Sequence, residues 1–219
     1  MRNITFSDTA IVACGTLSLE LNHLKKIGFL DTRHLFFTTP GLHEDVPKLE
    51  RHLVQQIACA RDYADKVIVV YGGKFCYVNA DEPSRTMQTI IAEQGAGIAR
   101  VEATHCMDMI ASEERRAQIA RQVAGGQRVW WMTPGWIQFR HKVFKDWDRA
   151  MANENFPRHN GGAVVLDGIG FTDEYMEKQP EAFLDYADWM GIPIQPVPVS
   201  LDRFKSLLTG AARKLSDRL

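Results

Sequence analysis

The sequence predicts a three-layer α/β/α protein built on a mainly parallel sheet. Short apolar runs recur along the whole chain, they are continuous rather than alternating, and longer stretches of helical periodicity separate them. A run that is apolar at every position suits a strand buried on both faces, as in a parallel sheet with helices on either side. Strand–helix alternation then implies βαβ units with right-handed crossovers.

The predicted strands are Ala10–Ala13, Leu35–Phe37, Val67–Tyr71, Ile98–Val101, Val129–Met132, Ala163–Leu166 and Ile194–Val199. Between them, Leu17, Leu21 and Leu24 fall on one helical face, and Gly28 supplies a stop. Val46, Leu49, Leu53, Val54 and Ile57 form a second stripe, with Pro47 suited to a first turn. Met87, Ile90 and Ile91 give a third, closed by Gly95-Ala96-Gly97. Phe139, Val143, Phe144, Trp147 and Met151 predict one long helix after Thr133-Pro134. Phe183, Ala187 and Met190 precede Gly191, and Leu201, Phe204, Leu207 and Leu208 close the chain. Residues 1–219 read as a single α/β domain, with the polar stretch 153–162 as a candidate hinge.

Composition narrows the function classes. With 45% hydrophobic and 24% charged residues, the chain has material for a sizeable core. A formal net charge of −1 leaves no global footprint for nucleic acid or an anionic membrane. No apolar run is long enough to span a bilayer. The opening MRNITFSDTAIVACG has too short an apolar core for a signal peptide, so a cytoplasmic location is expected. In that compartment the four cysteines are reduced thiols or ligands rather than a disulfide framework.

Three of those cysteines fall at comparable places. In open parallel sheets, ligands bind beyond the carboxyl ends of the strands. Cys14 directly follows the first strand, Cys76 lies in the Gly72-Gly73-Lys74-Phe75 loop after the third, and Cys106 follows the fourth beside His105. Cys59 sits inside a helix and reads as a packing or surface residue. A single reduced cysteine is commonly a small buried hydrophobe. Three at equivalent strand ends, Cys14 beside Gly15, Cys106 beside His105 and Cys76 in a loop opened by Gly72-Gly73, predict a shared metal site.

Structural zinc usually takes four ligands from local Cys pairs, and no such pair occurs here. Thiolates from separate loops suit a [4Fe-4S] cluster with one iron left without cysteine, or alternatively a zinc with an open position. Gly15, Gly72 and Gly73 allow backbone N–H groups, or a substrate, to approach closely. His105 and His43 are candidate proton donors, and His105 a candidate fourth ligand. Asp108 is a candidate acid/base, although with Glu102 nearby it also suits a helix start. Lys74 can meet an anionic substrate, and Thr133 and Trp136, after the fifth strand, can line a substrate pocket or anchor the next helix. Trp130-Trp131 reads as core packing. The motifs of P-loop NTPases, serine hydrolases and zincins do not occur, and Gly161-Gly162 precedes a strand rather than a helix.

Ala13-Cys14-Gly15, Tyr71-Gly72 with Cys76, His105-Cys106, Leu42-His43 with Pro47, Thr133 with Gly135-Trp136, and Val164–Asp167 together carry a resemblance over most of the chain. The sequence resembles domain of unknown function 1638, an uncharacterised bacterial and archaeal family. It departs from the family pattern where Cys76 follows Gly-Gly-Lys-Phe and precedes Tyr77. Family members are often encoded near corrinoid-dependent methyltransferase systems. The resemblance therefore implies anaerobic one-carbon metabolism, and a corrinoid or methyltransferase protein as partner. One thiolate from each of three strand-end loops is also similar to the layout of quinolinate synthase and diphthamide synthase.

The leading expectation is a metal-dependent enzyme whose cluster, held by Cys14, Cys76 and Cys106, acts on a small molecule. A zinc–thiolate methyl-transfer enzyme and a non-catalytic accessory protein of a corrinoid system are the alternatives. Homodimerisation through a sheet face is open to either.

Overall fold

The computed structural model describes residues 4–217. The first three residues of the amino-terminal stretch read above for a leader lie outside them, as do the last two of the chain. By its internal contacts the chain gathers into two compact units, one reaching Met109 and resuming at Asp202, the other Ile110–Leu201. The polar stretch 153–162 lies inside the second.

The first unit alternates β1 (Thr9–Cys14), α1 (Ser18–Lys26), β2 (Leu35–Thr38), α2 (Val46–Arg61), β3 (Lys66–Val70), α3 (Met87–Glu93), β4 (Ile98–Arg100) and α4 (Cys106–Ile110). Its strands form one parallel sheet in the order β2-β1-β3-β4. Strand pleating sorts the side chains. Ala10, Val12, Val67 and Val69 share one face, where Leu49, Leu53 and Ile57 of α2 and Ile90 and Ile91 of α3 cover them. The last helix of the chain contacts β3 and β4 but gives no residue to that cluster, so it covers the opposite face. The result is helix, sheet, helix. Asp45 caps α2 by accepting from Lys48 N at 3.1 Å, and Thr86 and Thr89 form a reciprocal capping box on α3.

The second unit continues with α5 (Glu113–Ala124), β5 (Trp130–Met132), α6 (Pro134–Gln138), α7 (Arg140–Val143), α8 (Arg149–Asn155), β6 (Ala163–Asp167), α9 (Phe171–Lys178), α10 (Pro180–Met190) and β7 (Ile194–Pro198). β5, β6 and β7 make a separate parallel sheet in that order. Pro196 and Pro198 are tolerated because β7 is an edge strand, where a missing N–H breaks no ladder. α11 (Asp202–Ser216) then belongs to the first unit.

All seven apolar runs are strands, and the mainly parallel α/β architecture holds, divided over two sheets. The long helix expected over 139–151 is instead α7 and α8, with Phe139 and Phe144 leaving helical geometry and Asp148 capping α8 through Met151 N at 2.8 Å. Its central aromatic is still buried, because Phe144 sits among Trp136, Trp147, Phe156 and Trp189 with ring centroids 5.2–5.7 Å away.

α11 is tied to α4. Arg203 donates through Nε to the Asp108 carbonyl at 2.5 Å and through its terminal nitrogen to Asp108 Oδ1 at 2.8 Å. Asp108 is only 8% exposed, so removing its cation leaves a desolvated charge. Arg203→Gln is expected to lower stability by about 1–2 kcal/mol, read from the urea midpoint. An unchanged midpoint would mean the clasp contributes nothing.

Candidate metal centre

The carboxyl edge of the first sheet is where strand order reverses, with β1 followed to one side by β2 and to the other by β3. Loops leaving adjacent strands toward opposite faces open a crevice at such a point. Cys14 is the last residue of β1, and Cys76 lies in the loop after β3. Both cysteines therefore flank the reversal. Cys106 begins α4, after the neighbouring β4.

Close backbone approach draws the loops together. A methyl group at Gly15 would stand 2.5 Å from the Thr38 carbonyl oxygen at the end of β2. One at Gly72 would stand 2.5 Å from His105 Cα and 2.6 Å from His105 N, and would strike the Thr104 carbonyl. Neither space admits a side chain. The loop after β3 is pinned to the loop after β4 by Gly73 N donating to Ala103 O at 2.9 Å and Phe75 N to Thr104 O at 3.1 Å.

Cys14, Cys76 and Cys106 are all half-buried. Burial pushes the Cys76 thiol up to about 12, and a charge on Cys14 adds to the effect. The backbone N–H groups of Gly72 and Cys106 donate to Cys76 sulfur and oppose the shift, as does the positive charge of Arg100. Cys14 is also raised, by burial first, while Thr16 and Tyr71 bond its sulfur and Glu20 adds repulsion. Cys14 Sγ and Thr16 Oγ1 are 3.1 Å apart. Cys106 Sγ meets Met107 Sδ at 3.0 Å. Among the described residues, no three His, Cys, Asp or Glu side chains already surround one ion.

The donor set nonetheless suits a thiolate-bound group. One thiol ends β1, one lies in the loop after β3 and one begins the helix after β4, while the backbones of Gly72 and Cys106 and the charge of Arg100 favour a Cys76 thiolate. Without such a group, burial keeps Cys14 and Cys76 protonated.

The other candidates divide. His105 Nδ1 accepts Asp108 N at 3.1 Å, which leaves its proton on Nε2, and its ring lies 5.7 Å from Phe75. Asp108 carries structural bonds on both oxygens: Thr104 N at 2.9 Å and Thr104 Oγ1 at 3.2 Å on Oδ2, and Arg203 on Oδ1. Burial works to raise its pKa, but Thr104 and Arg203 outweigh that and lower it. His43 stands on the short turn Leu42–Glu44 after β2, at the same edge, and desolvation of its ring lowers its pKa although the residue as a whole is exposed. Lys74 is exposed, its Nζ 5.1 Å over the Phe75 ring. Thr133 and Trp136 belong to the second unit. There Thr133 precedes α6, and Trp136 is buried against Trp130 and Phe144.

Sequence patterning overlooked three residues. Arg100 donates from one terminal nitrogen to the carbonyls of Tyr71, Val101 and Ala103 at 2.9–3.2 Å, which fixes a cation beside the Cys76 loop. Its signal was an arginine at the end of an apolar strand. Tyr71 is buried, with its hydroxyl on Thr38 and Cys14, and burial followed by the Cys14 charge holds its pKa well above the usual value. Glu20 is fully buried on α1 near Cys14, a carboxylate in the apolar stripe Leu17, Leu21, Leu24.

The first unit is thus a parallel α/β unit with Cys14 and Cys76 on either side of its strand-order reversal. The chain belongs to the family described as "Protein of unknown function (DUF1638)", which it matches over residues 37–208. That span contains Cys76 and Cys106, and Cys14 precedes it. No curated protein and no solved structure matches the chain. Among the described residues, no helix is long and apolar enough to cross a membrane.

Proposed function

We propose that this chain is a cytoplasmic metal-centre enzyme in which Cys14, Cys76 and Cys106 hold a [4Fe-4S] cluster with one iron free of cysteine, open to a small-molecule substrate. The observation that carries the reading is Cys76. Its loop leaves the strand beside the one that ends in Cys14, at the strand-order reversal, and is pinned to the loop leading to Cys106 by Gly73 N to Ala103 O and Phe75 N to Thr104 O. When bound, the cluster supplies a Lewis-acidic iron.

The chain's own residues do the rest. The N–H groups of Gly72 and Cys106 and the charge of Arg100 stabilise anionic sulfur. Cys106 Sγ, which stands on Met107 Sδ at 3.0 Å, would be the third ligand. His105 presents a proton at Nε2, while Asp108, held by Thr104 and Arg203, is a positioning residue for the His105 turn. The one-carbon setting implied by the family resemblance is anaerobic, where an open iron survives.

Anaerobic reconstitution with ferrous iron and sulfide tests the proposal. Wild-type protein and Cys59→Ser are expected to turn brown with about four iron and four sulfide per chain, whereas Cys14→Ser, Cys76→Ser and Cys106→Ser lose most of both. A colourless protein, stoichiometric zinc in place of iron, or undiminished iron in all three variants would overturn it.

A further inference from the structure

The second unit holds a cavity of about 370 Å³ between α7 and α10, lined by no residue of the candidate metal centre. That volume lies within the roughly 300–1,000 Å³ typical of small-molecule sites. Its walls are flat. Trp147 and Trp189 are half-buried, so each ring has surface left to offer. Behind them Phe144 and Tyr186 are buried, with Tyr186 and Trp189 stacked at 6.0 Å and 19°.

The polar lining is biased in sign. Arg140, His141 and Lys145 face the cavity against one carboxylate, Asp185. Arg140 is already oriented, because it donates to the Ala182 carbonyl and its guanidinium carbon stands 5.3 Å over the Tyr186 ring. Its Nε donates to His141 Nε2 at 3.2 Å, which leaves the His141 proton on Nδ1. Lys145 meets Asp146 at 3.2 Å, with both largely in solvent where such a pair is weak and exchangeable. A preset guanidinium recognises carboxylate and phosphate oxygens in its plane, and aromatic walls recognise a ring regardless of its substituents.

We propose that this cavity binds a flat aromatic ring bearing an anionic group, with the ring against Trp147 and Trp189 and the anion on Arg140 and Lys145. The anion is a carboxylate or a phosphate ester.

Calorimetric titration of the full chain with AMP and with quinoline-2-carboxylate tests this, against adenosine, quinoline and inorganic phosphate as probes lacking one feature. At least one of the two anions is expected to bind saturably at one site, tenfold or more tighter than its uncharged counterpart and than phosphate alone. Binding of AMP alone assigns the phosphate ester, and binding of quinoline-2-carboxylate alone assigns the aromatic acid. Arg140→Gln is expected to weaken the anion by tenfold or more. Lys145→Gln, whose side chain lies in solvent and leaves the fold intact, is expected to weaken it about threefold, an effect of the size of one screened charge. The proposal is overturned if neither anion binds, if adenosine, quinoline or phosphate binds as tightly, or if both variants bind like wild type.

Discussion

Gly72→Ala is expected to lower stability by about 2–4 kcal/mol and to abolish iron binding. The cause is space. Gly72 has no positive φ, so its conformation is open to any residue. Its methyl group would meet His105 Cα at 2.5 Å and His105 N at 2.6 Å, together with the Thr104 carbonyl. These are backbone atoms, and no rotamer change relieves them. The loops after β3 and β4 must separate, which breaks Gly73 N to Ala103 O and Phe75 N to Thr104 O and takes Cys76 away from the Cys106 N–H. Gly73→Ala is the control. Its nearest foreign atom is the end of the Arg100 side chain at 3.0 Å, which can move, so about 1 kcal/mol or less is expected. Urea midpoints and bound iron for the two variants decide the matter. Equal effects would mean that loop contact does not assemble the centre.

This contact shows what a sequence can carry and what it cannot. The strand runs were legible because a strand covered on both faces is apolar throughout, and the cysteines were legible because each directly follows such a run or its loop. Division into two sheets was not, since β4 and β5 end their sheets without any change in local pattern. α5 carries too little signal, as only Ile119 of its twelve residues is buried and most of the rest is charged, polar or alanine. The broken helix over 139–151 has an intact apolar period, and the breaks come from tertiary packing of its aromatic side chains. Gly72 beside Gly73 looks like flexibility in sequence, and only the crossing loop reveals that one is a contact and the other is open. Glu20 and Arg100 were visible as charges in apolar company, and that pattern is the signal to follow.

Alkylation of Cys76 in metal-free native protein is expected to be slower by roughly a thousandfold at pH 8 than in the urea-unfolded chain, because iodoacetamide attacks thiolate. Burial, reinforced by the Cys14 charge, pushes the Cys76 thiol from 9.0 up to about 12, and each unit lowers the thiolate fraction about tenfold in this range. Cys14 is expected to be slowed as well, for the same first cause. Rates for each cysteine, followed by mass spectrometry, check this. Cys76 reacting at its unfolded rate would show that the sulfur is not desolvated.

The sign of the stability effect follows from the same shift. The fold favours the protonated thiol, so its stabilisation is complete below the unfolded value near 9 and is lost as pH rises toward about 12. Metal-free protein should therefore unfold at lower urea at pH 10.5 than at pH 8. Under the proposed ligation iron would reverse the preference, since a ligand must be thiolate. Every buried thiol that gives up its proton on ligation adds a factor of about ten in apparent affinity per pH unit below its pKa. With Cys14 and Cys76 both raised, affinity measured at pH 7 and pH 8 should rise at least about a hundredfold. A flat profile would mean that neither sulfur loses a proton on binding, and hence that neither is a ligand.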